Sequence, residues 1–364
     1  MKKLAMTSYQ RLRAALLGQP VDRVPFSPFL AYVWEHYPNE IQNRGQRQFL
    51  LDMGADPLWR GAACPVKEIL PENCTLHRLE AGDVITTTLD TPLGQLRFRH
   101  QHSQRGNTSF IVEHPLKTPE DFKIQTWIEQ HTRLEYDESP VREHLAGDGS
   151  DGLSLGMLLP RCKSAFQSLV EHYVGTEELA YALSDFPQLV QELHAAMVER
   201  DLKAARLAAR APYDFWLTWE DSSTQNYSPG QYQTYIASEI RQWCDILKSH
   251  GKHYLQHACG HVKDLLPMIV EQGNLGVESL SPPPTGNIEL ADARARLGET
   301  FAIIGGIEPT HLLNLSDGPF DAYVEEVLSR GGRRFVLANS DSCPPGVTPD
   351  KFARICQIAR GWRP

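Results

Sequence analysis

The sequence predicts an α/β protein in which eight parallel strands and their helices close into a (β/α)8 barrel of the TIM type. From about residue 210 onward, a short β-rich run is followed by a helical segment five times in succession. Three further β-rich runs lie upstream. The alternative is an open doubly wound sheet, but the Gly-rich phosphate fingerprint of that fold is missing. Parallel strands need covering helices and short crossovers, so eight alternating units favour a closed barrel.

The predicted strands are short runs rich in apolar and β-branched residues, and helix signals follow several of them. Ser228 and Pro229 provide a cap and a first helical turn, and Gly298 stands where a helix should end. The eight predicted strands cover residues 23–29, 56–63, 152–158, 214–220, 253–260, 276–282, 301–307 and 334–342.

Two segments do not belong to the alternating strands and helices. The N-terminal segment MKKLAMTSYQRLRAALLGQP has apolar residues at helical spacing, which predicts an amphipathic helix packed outside the barrel and not a signal peptide. The interval 64–151 is too long for a simple crossover. Within it, DVITTTLDTPLGQLRFRH alternates apolar and polar residues around a turn, which predicts an inserted β-hairpin near residues 83–114. We expect residues 1–364 to form one domain.

Composition excludes several classes of partner. The chain has 364 residues, of which 41% are hydrophobic and 22% charged, and its net charge is −9. No basic run is present, so we expect neither nucleic acid nor an anionic membrane as a partner. No apolar run approaches the roughly 20 residues of a membrane helix. The seven cysteines are scattered without a disulfide framework, which predicts a cytoplasmic location.

Functional groups of such a barrel gather at the C-terminal ends of its strands. His257 and Cys259 lie two apart at the end of the fifth predicted strand, so their side chains point the same way. Cys343 follows the last strand and should reach the same rim. Three protein ligands with an open fourth position are typical of catalytic zinc, which can activate a thiol or a water. Core packing of the cysteines and a structural histidine remain the alternative.

Further candidates stand at other strand ends. Glu220 and Asp221 end the fourth strand and could supply a fourth metal ligand or a catalytic base, or form a solvated loop pair. Arg60 and Arg161 could hold a substrate carboxylate, with ion pairing as the alternative role. The residues predicted to bind substrate are Arg60, Trp219, His261, Asn339 and Asp341.

Several segments are typical of one family: RLRAALLGQPVDRVPFSPF, TPLGQLRFRH, EHPLKTPEDF, HACGHVKDLLPMIVEQG, GGIEP and PPGVTPDKFARI. Through them the chain resembles the uroporphyrinogen decarboxylase-like proteins over nearly its whole length. The resemblance implies a (β/α)8 barrel. The family contains metal-free porphyrinogen decarboxylases and zinc-dependent methyltransferases that move a methyl group from a corrinoid protein to a thiol such as coenzyme M.

The resemblance favours the methyltransferase branch. The zinc motif of that branch, H-x-C followed much later by a second cysteine, maps onto His257, Cys259 and Cys343. In the family pattern, the last cysteine lies slightly further from a following Thr-Pro pair than Cys343 lies from Thr348. When the two sequences are aligned on this Thr-Pro pair, Ser342 takes the ligand position. The decarboxylases carry an arginine-containing stretch after the first strand. This chain has LAYVWEHYP there, which disfavours porphyrinogen decarboxylation.

The predicted function is therefore zinc-dependent transfer of a methyl group between a methylated corrinoid and a small thiol or similar acceptor. The chain lacks the D-x-H-x-x-G pattern of corrinoid-binding modules and has no spare domain for a corrinoid. The methylcobamide would then come from a partner protein. Two alternatives stay open: a metal-independent decarboxylase of an acidic, uroporphyrinogen-like substrate, and a non-catalytic metal- or corrinoid-binding protein. A homodimer is expected from the resemblance alone.

Overall fold

The computed structural model describes residues 5–104 and 108–362, and its centre is a parallel sheet curled into a barrel. Within these residues the sheet has seven strands in the order β1-β8-β9-β10-β11-β12-β13, and every pair of neighbours is parallel. These strands are β1 (Leu58–Ala62), β8 (Leu153–Met157), β9 (Phe215–Thr218), β10 (His253–His257), β11 (Gly276–Leu280), β12 (Ala302–Ile307) and β13 (Phe335–Asn339). The predicted barrel class is confirmed.

The first predicted strand, at 23–29, is reduced to a one-residue bridge. Phe26 pairs in parallel with Leu337 of β13, and the N–H of Asp56, just before β1, donates to the Phe26 carbonyl at 2.7 Å. Residues 25–27 thus lie between the last and first barrel strands and join them through backbone hydrogen bonds. Pro25 and Pro28 flank the bridge and have no N–H to donate, which explains why pairing extends no further.

Helices surround the barrel between the strands. Their bounds are α1 (Ser8–Leu16), α2 (Asn39–Gln42), α3 (Gly45–Met53), α4 (Pro119–His131), α5 (Ser139–Ala146), α6 (Ala165–Ser168), α7 (Thr176–Asp185), α8 (Pro187–Ala208), α9 (Pro229–Gln231), α10 (Ala237–Ser249), α11 (Leu266–Glu271), α12 (Leu290–Leu297), α13 (His311–Asn314), α14 (Asp317–Arg330) and α15 (Pro349–Gly361). Among the described residues, none of these helices combines the length and the apolar character needed to cross a membrane.

The insertion after β1 is larger than the predicted hairpin. It holds a four-stranded antiparallel sheet and a separate two-stranded pair, formed by β3 (Thr75–Ala81), β4 (Val84–Thr91), β5 (Gly94–Ser103) and β6 (Thr108–Glu113), and by β2 (Val66–Ile69) with β7 (Arg133–Tyr136). The predicted hairpin corresponds to β4 to β6, and residues 105–107 within it lie outside the described part. Strand β3 was not predicted because all of its residues are exposed. Its sequence therefore lacks the alternation of apolar and polar residues that indicates a half-buried strand.

Helix α1 closes the N-terminal end of the barrel instead of joining the outer helices. Thr7 caps it in a capping box with Gln10. Leu12 and Leu16 are fully buried in the cluster that fills the barrel interior, together with residues that start the strands, such as Leu153. The prediction of an amphipathic helix is thus confirmed, but its position is corrected. A barrel interior is a packed core, and its lower end also needs an apolar cover.

We expect Leu12→Ala to lower the free energy of unfolding by about 2–5 kcal/mol, because it leaves a cavity at the base of the barrel interior. Urea unfolding followed by circular dichroism measures the change. The matched control is Arg13→Ala on the same helix, whose side chain is 41% exposed and pairs with Asp214 at the surface. This control substitution should lower the free energy of unfolding by less than about 1 kcal/mol. Equal losses in the two variants would show that α1 does not seal the barrel.

Candidate metal centre

Three donor side chains meet at the C-terminal ends of β9 and β10. Asp221 follows β9, His257 ends β10, and Cys259 lies two residues further on. One donor atom of each lies within 4.8 Å of the other two. The Oδ1 atom of Asp221 is 3.1 Å from His257 Nε2 and 3.4 Å from Cys259 Sγ. A nitrogen, a sulfur and an oxygen donor thus face one another at the barrel rim.

The second ring nitrogen of His257 is held by a buried carboxylate. His257 Nδ1 lies 2.6 Å from Oε2 of Glu278, and the side chains are 2% and 1% exposed. Because a carboxylate only accepts, Nδ1 must carry the proton that it donates. A proton fixed on Nδ1 directs the other nitrogen, Nε2, towards Asp221 and Cys259. Such a carboxylate–histidine pair is the usual support of a metal-binding imidazole.

Arg60 supports Glu278 and does not face the donors. Its Nε donates to Glu278 Oε1 at 2.6 Å, and both side chains are 1% exposed. A second nitrogen donates to the carbonyl of Ser27 at 3.2 Å. Burial raises the pKa of Glu278, but the hydrogen bond from His257 and the charges of His257 and Arg60 outweigh it, so that pKa lies below its usual value. Arg60, predicted to bind substrate or to form an ion pair, forms this buried ion pair.

Lys163 fixes the other oxygen of Asp221. Its ammonium group donates to Asp221 Oδ2 and to the Trp219 carbonyl, the latter at 2.6 Å, and it lies 2.8 Å from Glu171 Oε2. Burial opposes the ionised carboxylate, but the hydrogen bond from His257 and the charges of His257 and Lys163 hold the pKa of Asp221 well below its usual range. With Oδ2 engaged by Lys163, Oδ1 faces the other two donors.

The protonation states follow from these contacts. Burial raises the pKa of the Cys259 thiol to about 11. Burial disfavours a charged His257, but the Cys259 sulfur and the hydrogen bonds to Asp221, Cys259 and Glu278 together place its pKa well above the ordinary value. Without a metal, both His257 and Cys259 therefore retain their protons at neutral pH.

The backbone around this centre is strained. Six of the described non-glycine residues have a positive φ. Five lie near the C-terminal ends of barrel strands or in the neighbouring segment at 32: Tyr32 (67°), Cys162 (66°), Asp221 (41°), Ser279 (69°) and Asp341 (69°). The sixth, Asn73 (68°), lies in the insertion. Left-handed backbone costs energy for residues with a Cβ atom, and such strain clusters at functional sites. Most of this strain therefore lies at the rim of the barrel that holds the three donors.

Glu220 points away from its neighbour Asp221. Its oxygens accept hydrogen bonds from the backbone N–H and the hydroxyl of Ser164, each at 2.7 Å, and from the Thr218 hydroxyl at 2.9 Å. The side chain is fully buried, and this burial raises its pKa. The structure places Asp221 at the centre, and Glu220 links β9 to the loop after β8.

Cys343 lies apart from the three donors. It is fully buried, forms a parallel bridge with Tyr32, and donates its N–H to the Ala31 carbonyl at 3.2 Å. Among the described residues it does not belong to the group of mutually close donor atoms, whose third member is Asp221. The neighbouring Ser342 donates its hydroxyl to Asp341 Oδ1 at 3.3 Å. Whether Cys343 binds a metal stays a prediction.

Trp219 forms part of the wall of the centre. Its ring meets the His257 ring edge to face at 5.0 Å between centroids and stacks on Phe29 at 5.9 Å. The backbone N–H of Trp219 donates to the carbonyl of Cys162 at 2.7 Å. The predicted site residue Trp219 is therefore in direct contact with a donor.

The other predicted substrate-binding residues mainly shape the rim. The Asn339 side chain is hydrogen-bonded to both the N–H and the carbonyl of Phe29, at 2.8 and 2.9 Å, so it fastens the first barrel segment to β13. His261 is half-buried and is fixed through its backbone, with its N–H donating to the Ser223 hydroxyl at 3.2 Å. Asp341 lies near enough for its charge to contribute to the raised pKa of the Cys259 thiol.

Sequence reasoning missed Glu278 and Lys163. Glu278 carried a signal, because it is an acid within the apolar strand GVESL, and a buried charge usually has a specific partner. Lys163 follows a strand end in the segment PRCKS, which contains no recognisable pattern. Only the packing of the loop after β8 against the loop after β9 brings it to Asp221.

Comparison with known proteins agrees with the fold. A methyltransferase from Methanosarcina mazei superposes with a TM-score of 0.58, at 15% sequence identity, over 98% of this chain and 98% of that chain. The likeness extends over nearly the whole molecule, and at this identity it shows that the two proteins share a fold.

Comparison by sequence points to one family. The uroporphyrinogen decarboxylases of Prochlorococcus marinus strains MIT 9303 and MIT 9313 are each 27% identical over 135 residues. The chain spans 37% of the length of these relatives, and the match covers 37% of this chain. Residues 202–362 match the model of the family described as uroporphyrinogen decarboxylase (URO-D), and this range includes Asp221, His257 and Cys259. The predicted likeness to the uroporphyrinogen decarboxylase-like family is therefore confirmed, over the part of the barrel that holds the three donors.

Proposed function

We propose that the chain is a zinc-dependent methyltransferase that moves a methyl group between a corrinoid carried by a partner protein and a small thiol or similar acceptor. The observation that carries this proposal is the meeting of Asp221, His257 and Cys259 at the barrel rim. The family match and the whole-chain fold likeness to a methyltransferase support an enzyme of this class.

The donor set fits zinc. Zinc binds cysteine sulfur, histidine nitrogen and carboxylate oxygen, and catalytic zinc sites use three protein ligands with one position open. A thiolate from Cys259, the Asp221 carboxylate and a neutral His257 would together balance the charge of the ion. Bound zinc would supply a Lewis acid beside which a substrate thiol loses its proton near neutral pH.

The surrounding residues keep these donors in place. Glu278 holds the proton on His257 Nδ1, so Nε2 is the nitrogen that would lose its proton and bind when a metal enters the centre. Lys163 holds Asp221 Oδ2, which leaves Oδ1 to bind the metal. The stacked rings of Trp219 and Phe29 form an apolar wall that limits water next to His257.

Cys343 belongs to an alternative ligand set. The resemblance implies that it is the third ligand in place of Asp221. Its thiol is buried beside the rim, and burial raises its pKa. Substitution distinguishes the two ligand sets, because the metal should be lost on replacing Asp221 in one set and on replacing Cys343 in the other. All seven cysteines are free thiols, and a reducing cytoplasm would preserve them in this form.

The rival activity is metal-independent decarboxylation of an acidic, uroporphyrinogen-like substrate. The name of the matching family supports it. The two arginines predicted to be available for substrate carboxylates weigh against it. Arg60 pairs with Glu278, and Arg161 pairs with Glu129 at 2.6 Å and with Asp201 at 2.8 Å. Both arginine side chains are buried in these ion pairs.

We expect the wild-type protein to bind about one zinc ion per chain, and Cys259→Ala and Asp221→Asn to bind it at least about tenfold more weakly, because each loses a donor. Zinc titration against a competing chelator measures the affinity. The control is Cys74→Ala, a thiol in the insertion, which should bind as the wild type does. Unchanged affinity in Cys259→Ala would reject the centre. Loss in Cys343→Ala with retention in Asp221→Asn would favour the alternative ligand set.

Zinc affinity should fall steeply on acidification. The raised pKa values of Cys259, about 11, and of His257 mean that both groups are protonated at neutral pH without metal. Binding must then release about two protons, so the affinity should drop about a hundredfold per pH unit. Calorimetric titrations in buffers of different ionisation enthalpy count the protons. Cys259→Ala should release about one proton fewer, and a pH-independent affinity would contradict these protonation states.

Methyl transfer is tested directly with free methylcob(III)alamin and a panel of small thiols. Loss of the methylcobalamin spectrum should occur with zinc-loaded wild type and fall at least about a hundredfold in Cys259→Ala, because the metal-binding sulfur is gone. Lys263→Gln, an exposed substitution, serves as the control. An absence of transfer to every thiol and to tetrahydrofolate at full zinc occupancy would remove the methyltransferase proposal in favour of the rival classes.

A further inference from the structure

A second site candidate lies at the opposite end of the barrel from the metal centre. A cavity of about 320 Å³ opens where α10 ends and where β10, β11 and β13 begin. Its lining contains three cationic side chains and no carboxylate. The polar and basic residues around it are Lys248, Lys252, His253, Asn274, Thr300 and Arg334.

The cations of this cavity have no carboxylate partner among the described residues. Lys252 donates to the carbonyl of Ala211 and lies 5.5 Å from the ring centre of Trp216. Arg334 donates to the carbonyl of Leu17 at 3.3 Å. These contacts hold the two side chains in position without cancelling their charge. The arrangement is unusual in a chain of net charge −9.

The position of Arg334 is also fixed by a glycine. Its side chain lies against Gly18, where an added Cβ atom would come within 2.8 Å of the guanidinium Nε. Gly18 has a φ of 69°, so its backbone also favours glycine. The turn after α1 therefore leaves room for Arg334 to lie beside the cavity.

The acid whose charge acts on Lys252 and His253 is already engaged. Asp214 influences both Lys252 and His253 electrostatically. Its carboxylate accepts from Arg13 Nε and from the Tyr9 hydroxyl, each at 3.3 Å, and it lies outside this cavity. His253 stacks on Phe215, and burial lowers its pKa, so it offers a neutral ring. The positive charge of the cavity thus comes from Lys248, Lys252 and Arg334.

We infer that this cavity binds a polyvalent oxyanion of the phosphate type. Three cations, two of them held in place by neutral groups, match several anionic oxygens, and Asn274 and Thr300 add neutral polar groups. The volume exceeds that of one phosphate group, which suits a pyrophosphate or a small phosphorylated metabolite. The site is separate from the metal centre, since the five-residue strand β10 places His253 and His257 about 13 Å apart.

The inference is tested by titrating purified full-length protein with inorganic pyrophosphate at constant ionic strength in sodium chloride, followed by calorimetry. The wild type should bind one pyrophosphate per chain in a saturable manner. Lys252→Gln and Arg334→Gln should each weaken binding about tenfold, which corresponds to about 1.4 kcal/mol. Lys248→Gln should also weaken pyrophosphate binding. Because Lys248 is exposed, this variant should fold normally.

The controls separate a built site from general attraction of anions. Lys263→Gln removes an exposed cation elsewhere and should leave the affinity unchanged, and citrate in place of pyrophosphate tests whether carboxylates are accepted. A pyrophosphate affinity at least about tenfold above that of citrate supports a phosphate site. Equal affinities, equal loss in Lys263→Gln and Lys252→Gln, or no saturable binding would each overturn the inference. Zinc content should be the same in all variants, so the outcome does not depend on the proposed methyltransferase activity.

Discussion

The hydrogen bond between His257 Nδ1 and Glu278 is the interaction on which the rest of the centre depends. It keeps a proton on Nδ1 and orients the ring, so that Nε2 faces Asp221 and Cys259. A buried carboxylate in this position is tolerated because Arg60 pairs with its other oxygen. Removing either partner would leave an uncompensated charge in the barrel interior, so the chain Arg60–Glu278–His257 is both a structural and a functional constraint.

The same constraint explains how the barrel is closed. Arg60 donates to the carbonyl of Ser27, and Asn339 holds the backbone of Phe29, so the short first segment is fastened by side chains from two different strands. That segment forms only a one-residue bridge in the sheet, at Phe26. These side-chain contacts replace some of the backbone hydrogen bonds that the prolines of the first segment cannot form. Arg60 therefore helps both to close the barrel and to hold Glu278 beside His257.

The fold was largely predictable, because the signals were local. Strand–helix alternation predicted the barrel, and seven of the predicted strands overlap the observed ones within a few residues. The donor pair His257 and Cys259 was also predictable, since two residues of extended backbone two apart face the same side. The sequence predicted Cys343 as the third donor, and it left open which neighbouring carboxylate joins the pair. Glu220 and Asp221 are adjacent acids, and only the pairing of Glu220 with Ser164 shows which of them faces the rim.

By itself the sequence determined the barrel class, the helix at the N-terminus and the position of the donor pair, because apolar periodicity and residue spacing are properties of neighbouring residues. Tertiary structure decided what depends on contacts between distant segments. It placed α1 across the base of the barrel, joined Arg60 to Glu278 over 218 residues, and brought Lys163 to Asp221 over 58 residues. No local pattern encodes these pairs, since each exists only after separate strands have packed side by side and buried their charges together.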